Sequence, residues 1–236
     1  MRIALIGYGK MGKAIEKIAV ESGHSISYII QSVSQLDELV KDNVDIAIEF
    51  TQPESAFQNI SHCLENGIPV ISGTTGWIDK LSEIEHLCKD LNGTFLYASN
   101  FSIGVNLFFE LNKWLASKMS QLSFKPSMKE IHHTEKKDSP SGTAITLAEG
   151  IISSKPSIKG WINAESADHK KLGIVSERMP NVPGTHTVSY SSSLESIEIT
   201  HTAHDRSVFA QGVVQVGEWI HLKKGVFTMS DFINDN

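Results

Sequence analysis

Arg2-Ile3-Ala4-Leu5-Ile6-Gly7-Tyr8-Gly9-Lys10-Met11-Gly12 joins an apolar run to a turn of three spaced glycines. Arg2 to Ile6 is a short, mostly apolar run of the kind that forms a strand buried on both faces. The glycines that follow have the spacing of a dinucleotide-binding turn. One allows a tight turn, one lets a pyrophosphate approach the backbone, and one seats the next helix against the strand. Beyond them Met11, Ala14, Ile15, Ile18 and Ala19 share one helical face, stopped by Ser22-Gly23. Residues 25–30 then read as a second strand. Any glycine-rich turn would show the same triplet; its place between a strand and a helix makes it a nucleotide signal.

Beyond residue 30 the alternation of strand and helix continues. Residues 44–50 read as a strand, and Thr51-Gln52-Pro53-Glu54 starts a helix ending at Asn66-Gly67. Residues 68–72 form a strand that delivers Gly73-Thr74-Thr75-Gly76. A helix carrying Leu81, Ile84, Leu87 and Cys88 follows, then a strand over 94–98 that ends in Ala98-Ser99-Asn100-Phe101. Repeated strand–helix units imply a parallel, doubly wound, Rossmann-type sheet with ligands beyond the carboxyl ends of its strands. From Gly104 the character changes. A strongly apolar helix over 105–119 precedes a loop-like stretch at 153–168 and β-like runs at 172–177, 185–191 and 196–201. These suggest a smaller α+β domain with an open mixed sheet, mostly antiparallel. Residues 207–220 read as a helix and 226–229 as a last strand returning to the first domain. The expected domains are 1–103 with 206–236, and 104–205.

A second stretch carries the chemistry: Glu130-Ile131-His132-His133-Thr134-Glu135-Lys136-Lys137-Asp138-Ser139-Pro140-Ser141-Gly142-Thr143-Ala144. It reads as a strand end, a charged loop, and a helix beginning at Ser141-Gly142-Thr143. A helix start offers backbone N–H groups and a positive dipole end to a carboxylate or phosphate. Lys136 and Lys137 add positive charge there, and imidazoles move protons near neutral pH. Side chains of adjacent strand residues point to opposite faces, so His132 and His133 share a pocket only if the strand breaks between them. A solvated His–Lys loop is the plainer alternative.

This second stretch resembles the signature of the 4-hydroxy-tetrahydrodipicolinate reductase (dihydrodipicolinate reductase) family. Matching segments run almost end to end: Gly7 to Gly12, Phe50-Thr51-Gln52-Pro53, Gly73 to Gly76, Asn100 to Asn106, Gly184-Thr185-His186-Thr187, and His201 to Gly212. The resemblance implies hydride transfer from NADH or NADPH to a cyclic imine dicarboxylate in lysine and diaminopimelate biosynthesis. It implies His132 as proton donor or acceptor, Lys136 as a second donor, and His133, Ser141, Gly142 and Thr143 as substrate contacts. Gly7, Tyr8, Gly9, Lys10, Met11, Gly12, Gly73, Thr74, Thr75, Ala98, Ser99, Asn100 and Phe101 would contact the cofactor. It further implies a homotetramer built through the substrate domain's sheet. Two residues depart from the family's habit, Glu49 where Asp is common and Ser139 where Ala is common.

The acidic residue that usually ends the second strand of an NAD site is missing. Gln31-Ser32 stand there, Asp37 lies further along, and no arginine is present for a 2′-phosphate. A preference between NADH and NADPH of less than about tenfold, or about 1.4 kcal/mol, is expected. With 40% hydrophobic and 20% charged residues the chain is ordinary for a soluble protein. A net charge of −6 argues against nucleic acid as a partner. No apolar run approaches the roughly 20 residues that span a bilayer, and the first residues do not read as a signal peptide. Cys63 and Cys88 alone make no disulfide framework, so a cytoplasmic setting is expected. A sister dehydrogenase acting on aspartate or homoserine would have no reason to keep His-His-x-x-Lys with Ser-Gly-Thr. A nucleotide sensor would tolerate loss of Lys136. No metal is expected: His186, His201 and His204 lack a carboxylate or thiolate at ligand spacing.

Overall fold

Ile3 and Leu5 face one hydrophobic layer and Ala4 and Ile6 the other, which is why the first strand is apolar at successive positions. The structure, a computed structural model, describes residues 1–235; Asn236, the end of the first expected domain, lies outside the described residues. β1 (Arg2–Ile6), α1 (Lys10–Glu21), β2 (Ser25–Ile30), β3 (Ile46–Glu49), α2 (Pro53–Glu65), β4 (Val70–Ser72), α3 (Leu81–Asp90) and β5 (Thr94–Tyr97) follow in turn. Pro53 occupies the first turn of α2, where a missing N–H costs nothing, and Gly67 at φ +66° follows its end.

The next elements are α4 (Ile103–Met119), β6 (Lys125–His132), α5 (Gly142–Ser154), β7 (Gly160–Ile162), β8 (Lys171–Arg178), β9 (Gly184–Ser191) and β10 (Ser196–Ala203). The chain ends with α6 (Ser207–Ile220), β11 (Gly225–Phe227) and α7 (Met229–Asn234). It divides into two compact units, Met1–Ile103 with the chain from Ser207 onward, and Gly104–Arg206.

The first unit holds a parallel sheet in the order β11-β5-β4-β3-β1-β2. Successive strands run one way from β1 to β2 and the other way through β3, so the switch point falls between β1 and β3. One layer packs Ile15 and Ala19 of α1 with Val213 and Val216 of α6, the other Ile60 and Leu64 of α2 with Ile84 of α3. In the second unit the order is β10-β9-β6-β8-β7. Met128, Ile174, Val188 and Tyr190 of this sheet pack against Leu115 of α4 and Leu147 and Ile151 of α5. Its other face is polar, with Thr185–Thr202, Thr187–Thr200 and Ser189–Glu198 hydrogen bonds across β9 and β10.

Three expectations change. The second sheet pairs β6 with β9 and β9 with β10 antiparallel, but β6 with β8 and β8 with β7 parallel, so it is evenly mixed. Gly160–Ile162, inside the expected loop, adds the edge strand β7; three residues are too few to show a period. The last strand stops at Phe227, because Thr228 and Asp231 form a reciprocal cap that starts α7. Among the described residues no helix is long and apolar enough to cross a membrane.

Candidate active site

Gly7 lies at φ +95°, and a Cβ there would fall 2.0 Å from the Phe50 carbonyl oxygen at the end of β3. A Cβ on Gly12 would fall 2.3 Å from the Gly7 carbonyl oxygen. Both glycines are therefore demanded by the fold. Gly9, the N-cap of α1, is not: a Cβ there would meet nothing within 4 Å, and no side chain caps the helix. A cavity of about 300 Å³ opens at this place, at the switch point of the sheet. Gly7, Tyr8 and Gly9 line it from β1, Gln31 and Ser32 from β2, and Thr51, Gln52, Ser55 and Asn59 from beyond β3. Every lining residue is uncharged. Lys10 and Met11 open α1 behind it.

The remaining residues expected at the cofactor are tied to the same strand ends. Glu49, fully buried, accepts hydrogen bonds from Ser72 Oγ (2.6 Å), Thr74 Oγ1 (2.8 Å) and the Thr51 N–H (3.1 Å). Thr51 N–H also reaches Thr74 Oγ1 at 2.7 Å, so the loops after β3 and β4 are locked together. A Cβ on Gly73 would enter the Phe50 ring, and Phe50 packs at 5.9 Å against Phe101 in the loop after β5. Thr75 follows Thr74 at the tip of the β4 loop, and Ala98, Ser99 and Asn100 lead into Phe101.

In the second unit β6 ends at His132, and the strand does break before His133. Met128, Glu130 and His132 alternate onto the covered face of the sheet. His132 Nδ1 lies 3.5 Å from Glu130 Oε2, and its ring meets that of His186 edge-on at 4.9 Å. His133 is turned elsewhere: its Nδ1 is 2.8 Å from Glu135 Oε2, and its Nε2 accepts from Arg206 Nη2 at 2.8 Å. Lys136 Nζ sits 2.8 Å from Asp138 Oδ2 and holds that carboxyl below its ordinary range. Ser141, after a cis Ser139–Pro140 bond, is the N-cap of α5, and its Oγ accepts the Ala144 N–H at 3.2 Å. Gly142 and Thr143 form the first turn. A Cβ on Gly142 would meet nothing within 4 Å, so packing does not require that glycine either.

Burial pushes the His132 imidazole down to about 4, helped by His186, Lys136 and Arg178 and opposed by Glu130. Burial alone would raise the Glu130 carboxyl, but hydrogen bonds from His186, Ser141 and Ser176 and the nearby His132 hold it at about 2. Glu130, His186 and Arg178 are functional candidates that the sequence reading left without a role in catalysis. Glu130 was visible as the residue two before His132 on one strand face. His186 lies opposite Glu130, and Arg178 opposite His132, only through the strand register. Ligand atoms of Glu130, His132 and His186 lie within 4.8 Å of one another. Both Glu130 oxygens already accept the Ser141 N–H and His186 Nε2 lies 3.1 Å from Ser141 Oγ, so we treat the trio as a packed cluster of titratable groups tied to the α5 cap. It differs from the trio weighed from sequence, in which His201 pairs opposite His186 and His204 is exposed.

A parallel sheet with a glycine turn at its switch point, in one chain with a His–Lys–helix-start cluster, defines a two-domain oxidoreductase of the nicotinamide-nucleotide kind. Residues 1–101 match the description "Dihydrodipicolinate reductase, N-terminus" and residues 104–233 "Dihydrodipicolinate reductase, C-terminus". The chain belongs to the dihydrodipicolinate reductase family. It is 47% identical to the 4-hydroxy-tetrahydrodipicolinate reductase of Christiangramia forsetii, covering 100% of this chain and 98% of that one. The enzyme of that name from Archaeoglobus fulgidus is 33% identical over 99% of this chain and 100% of its own. In structure it is similar to a dipicolinate-bound dihydrodipicolinate reductase from Paenisporosarcina (TM-score 0.77, 22% identity, 97% of each chain), a likeness of fold.

Proposed function

We propose that this protein reduces 4-hydroxy-tetrahydrodipicolinate to tetrahydrodipicolinate with NADH or NADPH, a step of lysine and diaminopimelate biosynthesis. The observation that carries this reading is the buried His132 beside the loop of Lys136, on the same unit as an α5 start whose Gly142 nothing in the packing requires. The unit Met1–Ile103 with the chain from Ser207 binds the nucleotide, and Gly104–Arg206 binds the substrate. A reduced nicotinamide supplies the hydride when bound. The α5 start, with Ser141, Gly142 and Thr143, receives a ring carboxylate. His133, paired with Arg206, contacts the substrate's anionic edge. Lys136 gives a charged donor, and His132 delivers or holds the proton, while the 4-hydroxyl leaves as water.

His132 is neutral at neutral pH in the ligand-free protein. Two substrate carboxylates nearby favour the imidazolium, so the proton is taken up together with the substrate. Nucleotide choice is weak, since the cavity beyond β1, β2 and β3 presents neither a carboxylate to NAD nor a guanidinium to a 2′-phosphate. Self-association into a homotetramer through the second sheet belongs to this reading, because that sheet's polar face, beyond the 164–166 backbone that packs on Gly173, leaves Lys125, Ser127, Lys129 and Glu198 exposed. A cytoplasmic setting belongs to it as well, with Cys63 and Cys88 both buried and unbridged.

The test is absorbance of NADH and NADPH in the presence of dihydrodipicolinate synthase, pyruvate and aspartate semialdehyde. Oxidation that depends on the synthase is expected. Nucleotide binding without turnover would leave a sensor or a sister dehydrogenase.

A further inference from the structure

Glu130 is a wholly buried carboxylate to which the reaction described above gives no task. Carboxylates are among the costliest groups to bury, and an apolar side chain would fill the same place on a covered sheet face. Its contacts supply a reason for the charge. Both of its oxygens accept the Ser141 N–H, at 3.1 and 3.2 Å, at the cap of α5. Oε2 lies 3.5 Å from His132 Nδ1 and 3.6 Å from His186 Nε2, and Oε1 lies 3.6 Å from Arg178 Nη1. Arg178 in turn donates to the carbonyls of Lys136 (3.3 Å) and Asp138 (2.6 Å), so it holds the loop that carries the ammonium. His186 reaches the same cap through Ser141 Oγ at 3.1 Å. One carboxylate is thus in contact with the anion seat, the imidazole and, through Arg178, the Lys136 loop.

We propose that Glu130 is the positioning residue of this site, its charge holding His132, the Arg178-clamped Lys136 loop and the start of α5 in one working arrangement. The inference rests on the reading of His132 and Lys136 as the acting groups. A purely structural anchor for α5 would need a hydrogen-bond acceptor but no charge. The groups facing His132 separate the two roles. His186 comes from β9, Arg178 from β8 and Lys136 from the following loop, and each disfavours the imidazolium. Glu130, from β6 itself, favours it.

Glu130→Gln keeps the shape and an acceptor oxygen and removes the charge. We expect its kcat to fall at least about thirtyfold with NADH affinity within about twofold, since the nucleotide site lies in the other unit. The His132 imidazole, followed by long-range ¹H–¹⁵N spectra of histidine-labelled protein and assigned by its loss in His132→Gln, should titrate at lower pH than in the parent. Glu130→Asp restores the charge and should recover part of kcat and of the titration. Arg178→Gln should also lower kcat but move the His132 titration upward, which keeps the test open if Glu130→Gln does not fold. The proposal is overturned if Glu130→Gln retains kcat within about threefold, or loses it with the pH profile and the His132 titration unmoved. Should the parent itself show no turnover, the reductase reading fails, while the titration still decides whether Glu130 sets the state of His132.

Discussion

Two helices begin where a ligand is expected, and they are built differently. α1 starts with no side-chain cap, behind two glycines that the fold demands and one, Gly9, that it does not. The cavity beside it is lined by uncharged residues. α5 starts with Ser141 as cap, Gly142 open beside it, Glu130 and His186 against Ser141, and His132 beside them under the influence of Lys136. A diphosphate that only has to be held needs backbone N–H groups and space. A substrate that gains a proton needs groups whose charge can change, arranged before it arrives. The first start is a matter of shape, the second of titratable groups.

The largest effect that would break this contrast is at Lys136. Lys136→Ala should lower kcat/KM about a thousandfold while NADH and NADPH affinity stay within about twofold. Equal turnover in variant and parent would remove Lys136 from the chemistry, leaving the second helix start as passive as the first.

Acid should act on the second unit in a definite direction. His132 titrates at about 4 in the fold against about 6.5 when unfolded, so between those values the unfolded chain binds more protons and stability rises with pH. Glu130, held at about 2, adds stability present above its ordinary range and lost progressively as pH falls from that range through about 2. Denaturant unfolding should therefore show about 2 kcal/mol less stability at pH 5 than at pH 7 from His132 alone. His132→Gln should remove that difference, and a variant as acid-sensitive as the parent would assign the loss to other groups. The smallest effect is at the first unit: kcat/KM for NADH and NADPH should differ by less than about tenfold. A hundredfold ratio would mean that a residue outside the uncharged cavity reads the 2′ position.

Much of the first unit was legible because its signals are local. A glycine triplet, a Pro at a helix start and apolar runs each fit in a window of a few residues. The second unit was legible in its motif but not in its wiring. Glu130 and His132 share a face by the two-residue period of a strand, which the sequence does display. His186 and Arg178 join them only because β9 and β8 flank β6 in one register, and no local pattern carries that pairing. The cap made by Thr228 and Asp231 was present in the sequence, but the apolar run Val226 to Met229 beside it reads equally well as a strand.

The contrast between the two starts is tested most directly by adding one methyl group to each. Neither Gly9 nor Gly142 has a positive φ, and a Cβ at either would meet no other packed group within 4 Å, so Gly9→Ala and Gly142→Ala should both fold as the parent does. Titration calorimetry with NADH and with pyridine-2,6-dicarboxylate should give a crossed result. Gly9→Ala should weaken NADH at least about tenfold and leave the dicarboxylate unchanged; Gly142→Ala should do the reverse. Two variants that bind both ligands as the parent does, or that weaken both together, would contradict the assignment of one helix start to each ligand.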